Sequence, residues 1–234
     1  MTTRHTPDHP TRTGGRRNRR RSPLQLWGPI ILLVVAVVAG IAFQSARSHT
    51  QAPQAVPAHA LGPNGGELLG RASAPVLVEE YGDFQCPVCG RWERTVYPTV
   101  RQLVDQGRIR FEYHPIAFIG PESTAAANAA GDEGRFWAYH DLLFADQAPE
   151  NSGVLTTDRL LELGRQVGLT SQQFQRTVRD GTYDNWIRQA TDQSSQRGVN
   201  QTPTVLVDGQ QVDAALTAQG LFAAVNAAAN ASGS

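Results

Sequence analysis

The whole 234-residue chain holds two cysteines, and they stand three positions apart in the run Phe84-Gln85-Cys86-Pro87-Val88-Cys89. What flanks them narrows the folds available. Pro75-Val76-Leu77-Val78-Glu79-Glu80-Tyr81 is a β-branched run of strand length, nearly apolar on both faces, as expected of a central strand covered on two sides. From Cys86 to about Gln106, Trp92, Val96, Val100, Leu103 and Val104 recur at helical spacing, with Pro98 as a kink and Gly107 as a stop. The cysteines are therefore expected where a strand ends and a helix begins.

That position has a chemical use. A sulfur at a helix amino terminus lies beside unsatisfied backbone N–H groups and the positive end of the dipole, both of which favour thiolate. The terminus contributes up to about 2 kcal/mol, or roughly 1.5 pKa units, which brings a thiol from about 8.5 to near 7. Cys86 is the expected attacking thiol. Cys89, one turn further in, is the expected resolving thiol, and Pro87 fits the first turn because a missing N–H does little harm there. A purely structural disulfide between such close residues would stabilise little, because the loop it closes is tiny. Zinc needs four ligands, and the domain offers only His114 and His140 besides the cysteines, so no metal or cofactor is expected.

The rest of the domain extends the pattern. Arg108 to Phe118 alternates as a second strand, which makes a right-handed parallel β-α-β unit. A helical stretch follows from about Ser123 to Arg197, with breaks near 147–153, Gly168 and Gly181, and with caps at Thr156 or Thr157 and at Thr170-Ser171. Thr204-Val205-Leu206-Val207, the Asp208-Gly209 turn and Gln211-Val212 read as a hairpin, and an Ala-rich helix runs from about Thr217 to Asn230. Trp92, Phe136, Trp137 and Trp186 read as core, and His114 and His140 as packing or capping residues.

The amino-terminal part is of another kind. Residues 1–25 carry seven Arg against Asp8 alone, and read as a basic cytosolic tail. Leu26 to Phe43 has no charged residue; as a helix it would span roughly 27 Å, close to a bilayer core, so a single transmembrane helix is expected over 26–43. A cleaved signal is the alternative, but the best small-x-small site, Ala58-His59-Ala60, lies well beyond the apolar run, and an uncleaved anchor is preferred. The positive-inside rule then puts the tail in the cytoplasm and the rest outside, in the cell envelope. Residues 44–63, rich in Ala, Gln and Pro, form a flexible linker to a domain over 64–234. That domain has thirteen Arg against twenty Asp and Glu, which argues against nucleic acid as a partner.

Asp83-Phe84-Gln85-Cys86-Pro87-Val88-Cys89, Thr202-Pro203-Thr204 and Gly134-Arg135-Phe136-Trp137-Ala138-Tyr139-His140-Asp141-Leu142-Leu143-Phe144 together resemble the DsbA-type thioredoxin-like proteins of bacterial envelopes. The resemblance covers about residues 64–230. It implies an α/β thioredoxin fold with a helical subdomain inserted at about 121–197. It also implies that Pro203 is a cis-proline facing the sulfurs, that Thr202 offers its backbone to an extended substrate, and that Glu80 is a buried acid exchanging a proton with Cys89. Val88 departs from the His of the best-known oxidase of that family and offers the thiolate no donor. The expected activity is disulfide formation in exported cysteine-containing proteins, with a membrane redox partner that resets the dithiol. A reductase or isomerase is the alternative, and a non-catalytic envelope module with a structural disulfide is a third.

Overall fold

The structure is a computed structural model that describes residues 66–232. The tail, the transmembrane helix over 26–43 and the linker expected from sequence lie outside the described residues. Among the described residues, no helix is long and apolar enough to cross a membrane.

The elements in chain order are β1 (Glu67–Leu69), β2 (Val76–Gly82), α1 (Pro87–Thr95), α2 (Tyr97–Asp105), β3 (Ile109–Pro115), α3 (Glu122–Gly131), α4 (Phe136–Ala145), α5 (Thr157–Gln166), α6 (Gln172–Arg179), α7 (Asp184–Gln196), β4 (Thr204–Val207), β5 (Gln210–Gln211), a 3-10 turn (Asp213–Leu216) and α8 (Ala218–Ser232). They form a five-stranded sheet in the order β1-β3-β2-β4-β5. β2 and β3 are parallel, with α1 and α2 as their crossover, and the remaining pairs are antiparallel. All seven residues of β2 are buried, as the apolar run predicts for a central strand.

Strand alternation assigns the two faces. Val78 pairs with Phe111 and Glu80 with Tyr113 on one face; Glu79 pairs with Glu112 and Tyr81 with His114 on the other. Trp92 from α1, Tyr97 from α2 and Trp137 from α4 all bring their rings against Phe111, so these three helices cover the first face. Each such ring contributes roughly 1.5–3 kcal/mol when fully buried. The Trp92 indole N–H donates to the Ala215 carbonyl at 3.1 Å, which ties α1 to the 3-10 turn before α8.

Several boundaries differ from expectation. The helix predicted from Cys86 to Gln106 is two helices that meet at Val96, and Pro98 lies in the first turn of the second, where its ring is tolerated. β1 has no counterpart in the sequence reading, because three residues are too few to show alternation. Trp186, expected in the core, is 46% exposed on α7. The caps resolve to Thr156 and Ser171, whose hydroxyls accept the N–H groups of Arg159 and Phe174. Asp208 and Gly209 both have positive φ, the conformation that a two-residue hairpin turn demands.

Candidate active site

Cys86 is the N-cap of α1 with extended backbone, and its carbonyl accepts the first helical hydrogen bond, from Gly90 N–H at 3.1 Å. Pro87 fills the first helical position, so no N–H is wasted there. The turn leading into the helix is pinned from two sides. Asp83 accepts the Gln85 N–H at 2.8 Å and the Ile119 N–H at 2.9 Å, joining the end of β2 to the loop after β3. Burial raises the Asp83 carboxyl to about 6 against the pull of these N–H donors. From the far side, the Gln147 amide donates to the carbonyls of Phe84 at 3.0 Å and Cys86 at 2.9 Å. A Cβ at position 90 would run into that amide, so Gly90 makes room for the clamp.

The two sulfurs, both free thiols, have opposite environments. The thiol of Cys89 donates to Cys86 and is the main reason that the Cys86 pKa falls to about 5; burial opposes this, and the Thr202 side chain and the N–H groups of Cys89 and Val88 assist. Sequence reasoning traced the shift to the helix terminus alone, but the neighbouring thiol is the larger cause. Cys89 is fully buried, and burial first, then its donation to Cys86, pushes its pKa far above the ordinary thiol range. One sulfur is thus prepared as a nucleophile and the other is held protonated.

Thr202-Pro203 is a cis peptide, and the Thr202 carbonyl lies 3.5 Å from the Cys86 sulfur. Val88, at 46% exposure, and Phe118, at 41%, are exposed apolar side chains on the segments that bear Cys86 and Ile119. Phe84 is buried and its ring packs on Tyr113 and Phe144. Glu80 is buried on the cysteine face, where desolvation, the neighbouring Glu93 carboxyl and the Cys86 charge raise its pKa well above the usual carboxyl range. Glu79 is buried as well, on the opposite face.

Three groups near this centre escaped the sequence reading. Gln147 lies in a loop some sixty positions from the carbonyls it holds, and no local pattern marks it. Glu93 looks like a solvated helix residue but is 7% exposed. His140, read as packing, is an ion-pair partner: its Nε2 lies 3.6 Å from Glu93 Oε1 and its Nδ1 3.0 Å from Asp141 Oδ1. The metal question also gains a candidate, since ligand atoms of Glu79, Glu112 and His114 lie within 4.8 Å of one another. This set could hold a divalent cation on the face away from the sulfurs; counting only Cys and His passed it over.

Comparison with known proteins places this geometry among relatives. Residues 64–227 match the family model described as Thioredoxin. A Na(+)/H(+) antiporter NhaA 1 from Salinispora arenicola is 35% identical over 71% of this chain, which spans 25% of that protein's length. The "Probable disulfide bond formation protein D" of Bacillus anthracis is 29% identical over 61% of this chain and 70% of its own length. Among solved structures, the reduced disulfide bond oxidoreductase DsbG of Mycobacterium tuberculosis aligns with a TM-score of 0.59 at 27% identity, covering 74% of this chain and 97% of that one.

Proposed function

The chain belongs to the thioredoxin family, and on that premise we propose that it is a thiol-disulfide oxidoreductase that forms disulfides in exported proteins. The observation that carries this reading is the contrast between the sulfurs: a stabilised thiolate at Cys86 and a buried thiol at Cys89. In the oxidised pair, a substrate thiolate attacks Cys86 Sγ, the Cys86–Cys89 bond breaks, and Cys89 leaves with the electron pair and takes up a proton. A second substrate thiolate then attacks the substrate sulfur of the mixed disulfide. Cys86 departs as thiolate, the substrate gains a disulfide, and the enzyme is left with a dithiol.

The same contrast supports the oxidase direction. Stabilising the Cys86 thiolate stabilises the reduced enzyme, which makes the oxidised form the stronger oxidant. Thr202 beside the cis-proline supports strand-like docking of a substrate peptide, and Val88 with Phe118 supplies apolar contact. A membrane redox partner that reoxidises the dithiol belongs to this reading. So do a lipid anchor at 26–43 and an extracytoplasmic domain, supported by the basic residues that precede the apolar run. One observation favours a reductase or isomerase: Val88 gives the thiolate no side-chain donor.

The reduction potential against glutathione tests the direction. A value near −120 mV supports the oxidase, whereas one near −270 mV assigns a reductase (both about, from known members of the fold). If a Cys89→Ser variant traps no mixed disulfides in cells, the enzymatic reading fails altogether. An alkaline phosphatase fused after Ser234 is expected to be active only with the carboxyl end outside.

A further inference from the structure

Two acids stand directly opposite each other in the middle of the sheet. Glu79 of β2 pairs with Glu112 of β3 in the parallel register, and two residues further along the same strands Tyr81 pairs with His114. Alternation puts these side chains on one face, the one away from the cysteines. Both acids are buried there. Like charges opposite one another on neighbouring strands repel, and the repulsion grows as water is removed. A positive charge between the carboxyls turns that repulsion into attraction.

The imidazole of His114 brings a nitrogen to that place. Its Nε2 lies 3.3 Å from Glu79 Oε1 and 3.6 Å from Glu112 Oε2. The nitrogen nevertheless makes no hydrogen bond, although His114 is only 9% exposed. A protonated ring turned to donate would bond one of the two oxygens at such a distance; a ring whose lone pair faces a third atom between them bonds neither. Ligand atoms of the three side chains all lie within 4.8 Å of one another. Around a tetrahedral ion with bonds of about 2.1 Å, neighbouring ligands stand roughly 3.4 Å apart. The two nitrogen-to-oxygen separations match that edge. Stacking on Tyr81, with planes within 9°, fixes the attitude of the ring. Gly66 keeps its edge clear, since a Cβ there would stand 2.8 Å from both Nε2 and Cε1.

We propose that Glu79, Glu112 and His114 bind a divalent transition ion, and that zinc(II) is the ion they fit best. Two carboxylates and a neutral imidazole balance the charge of such an ion. Nitrogen beside oxygen selects zinc over calcium and magnesium, which take oxygen ligands. Three protein ligands leave the fourth position to water. The cavity that His114 borders with Tyr81, Trp186 and Arg197 gives ion and water a way in. No sulfur belongs to this set, so the ion takes no part in thiol exchange. It joins β2 to β3 through side chains in addition to the backbone ladder, and so braces the strand that ends at the cysteine turn.

The test titrates zinc chloride calorimetrically into the full chain with Cys86 and Cys89 oxidised, so that the thiols do not compete. About one equivalent is expected to bind at the three side chains. Glu112→Gln and His114→Gln, checked for folding by circular dichroism, should each weaken it about a hundredfold or more, at least what removing a partner behind a ligand costs. Calcium and magnesium chloride should not displace the zinc. A readout that needs no variant is zinc X-ray absorption of the unaltered chain, which should show a single imidazole among oxygen donors at about 2.0–2.2 Å. Several imidazoles on the ion would assign it to the histidines of the first sixty residues and overturn the site. Binding that survives both substitutions, displacement by calcium, or no binding at all would overturn it equally.

Discussion

Adjacent glutamates on β2 end in two different interiors. Glu80 meets Glu93 and, through it, His140, beside the sulfurs and under a roof of aromatic rings; Glu79 meets His114 at 3.3 Å, with Glu112 3.6 Å from the same nitrogen, on the other face. His114 also stacks on Tyr81 with centroids 4.3 Å apart, and it borders a cavity of about 200 Å³ shared with Trp186 and Arg197. Each cluster holds two carboxyls and a histidine, and each is buried at a cost that needs partners to offset it. The cluster next to a sulfur stands where the proposed exchange takes place. The other has ligand atoms close enough for a cation and no sulfur within its circle. Composition alone does not separate them, but the neighbour across the sheet does.

The sharpest test of that division is to remove Cys86 on one side and Glu79 on the other. Cys86→Ser should abolish disulfide exchange, measured as oxidation of a reduced model protein, while Glu79→Gln should leave the rate within about twofold. Equal losses would erase the distinction. Next in size is the ring cage. Phe84→Ala should cost about 3–5 kcal/mol in chemical denaturation by leaving a cavity, whereas Tyr81→Phe, which removes a single hydroxyl on the opposite face, should cost no more than about 1.5 kcal/mol.

Glu80→Gln should slow the Cys89-dependent step about a hundredfold, near 2.7 kcal/mol in activation free energy, without loss of thermal stability, because a buried acid gives way to a neutral amide. A comparable slowing by Glu112→Gln would show that both clusters serve the sulfur. Smaller, but more direct, is the pH dependence of Cys86 alkylation. The rate should rise with pH through a midpoint of about 5 and then level off, and His114→Gln should leave the midpoint in place. The folded pKa lies below the ordinary thiol value of 9.0, so thiolate formation adds stability to the reduced protein as pH rises between the two. That increment is lost again as pH falls through about 5. A midpoint near 9.0 would remove the contrast between the sulfurs. Ser171→Ala, remote from both clusters, should cost about 1 kcal/mol in stability through the lost cap and leave every redox measurement unchanged.

How far these interiors can be read from the chain depends on the distance over which each feature is encoded. The junction of β2 and α1 is legible because its signals are local: an apolar run, a Pro at the first helical position and a Cys pair one turn apart. The parallel pairing of β2 with β3 follows from a crossover of suitable length. Alternation put Glu80 opposite Glu79, yet it could not show that both are buried, since burial of Glu79 depends on Glu112 and His114 from another strand. His140 lies on an apolar helix between Phe136 and Phe144, and that pattern reads as core. Its ion pair depends on Glu93, forty-seven positions earlier, arriving from α1. Trp186 was misread for the opposite reason: a large apolar residue at helical spacing looks internal, but α7 turns it towards the groove beside His114.

The Gln147 clamp bears on how such a molecule can be taken apart. The residues between β3 and β4 look like a removable module, yet one of them holds two carbonyls of the turn that presents Cys86. Replacing that segment with another helical unit would also take away the latch that sets where the cysteine helix starts. Any chimera built at these boundaries inherits a reactive thiol whose aim depends on whether the new segment happens to supply an amide at the same spot. In this protein the apparent accessory is part of the tool.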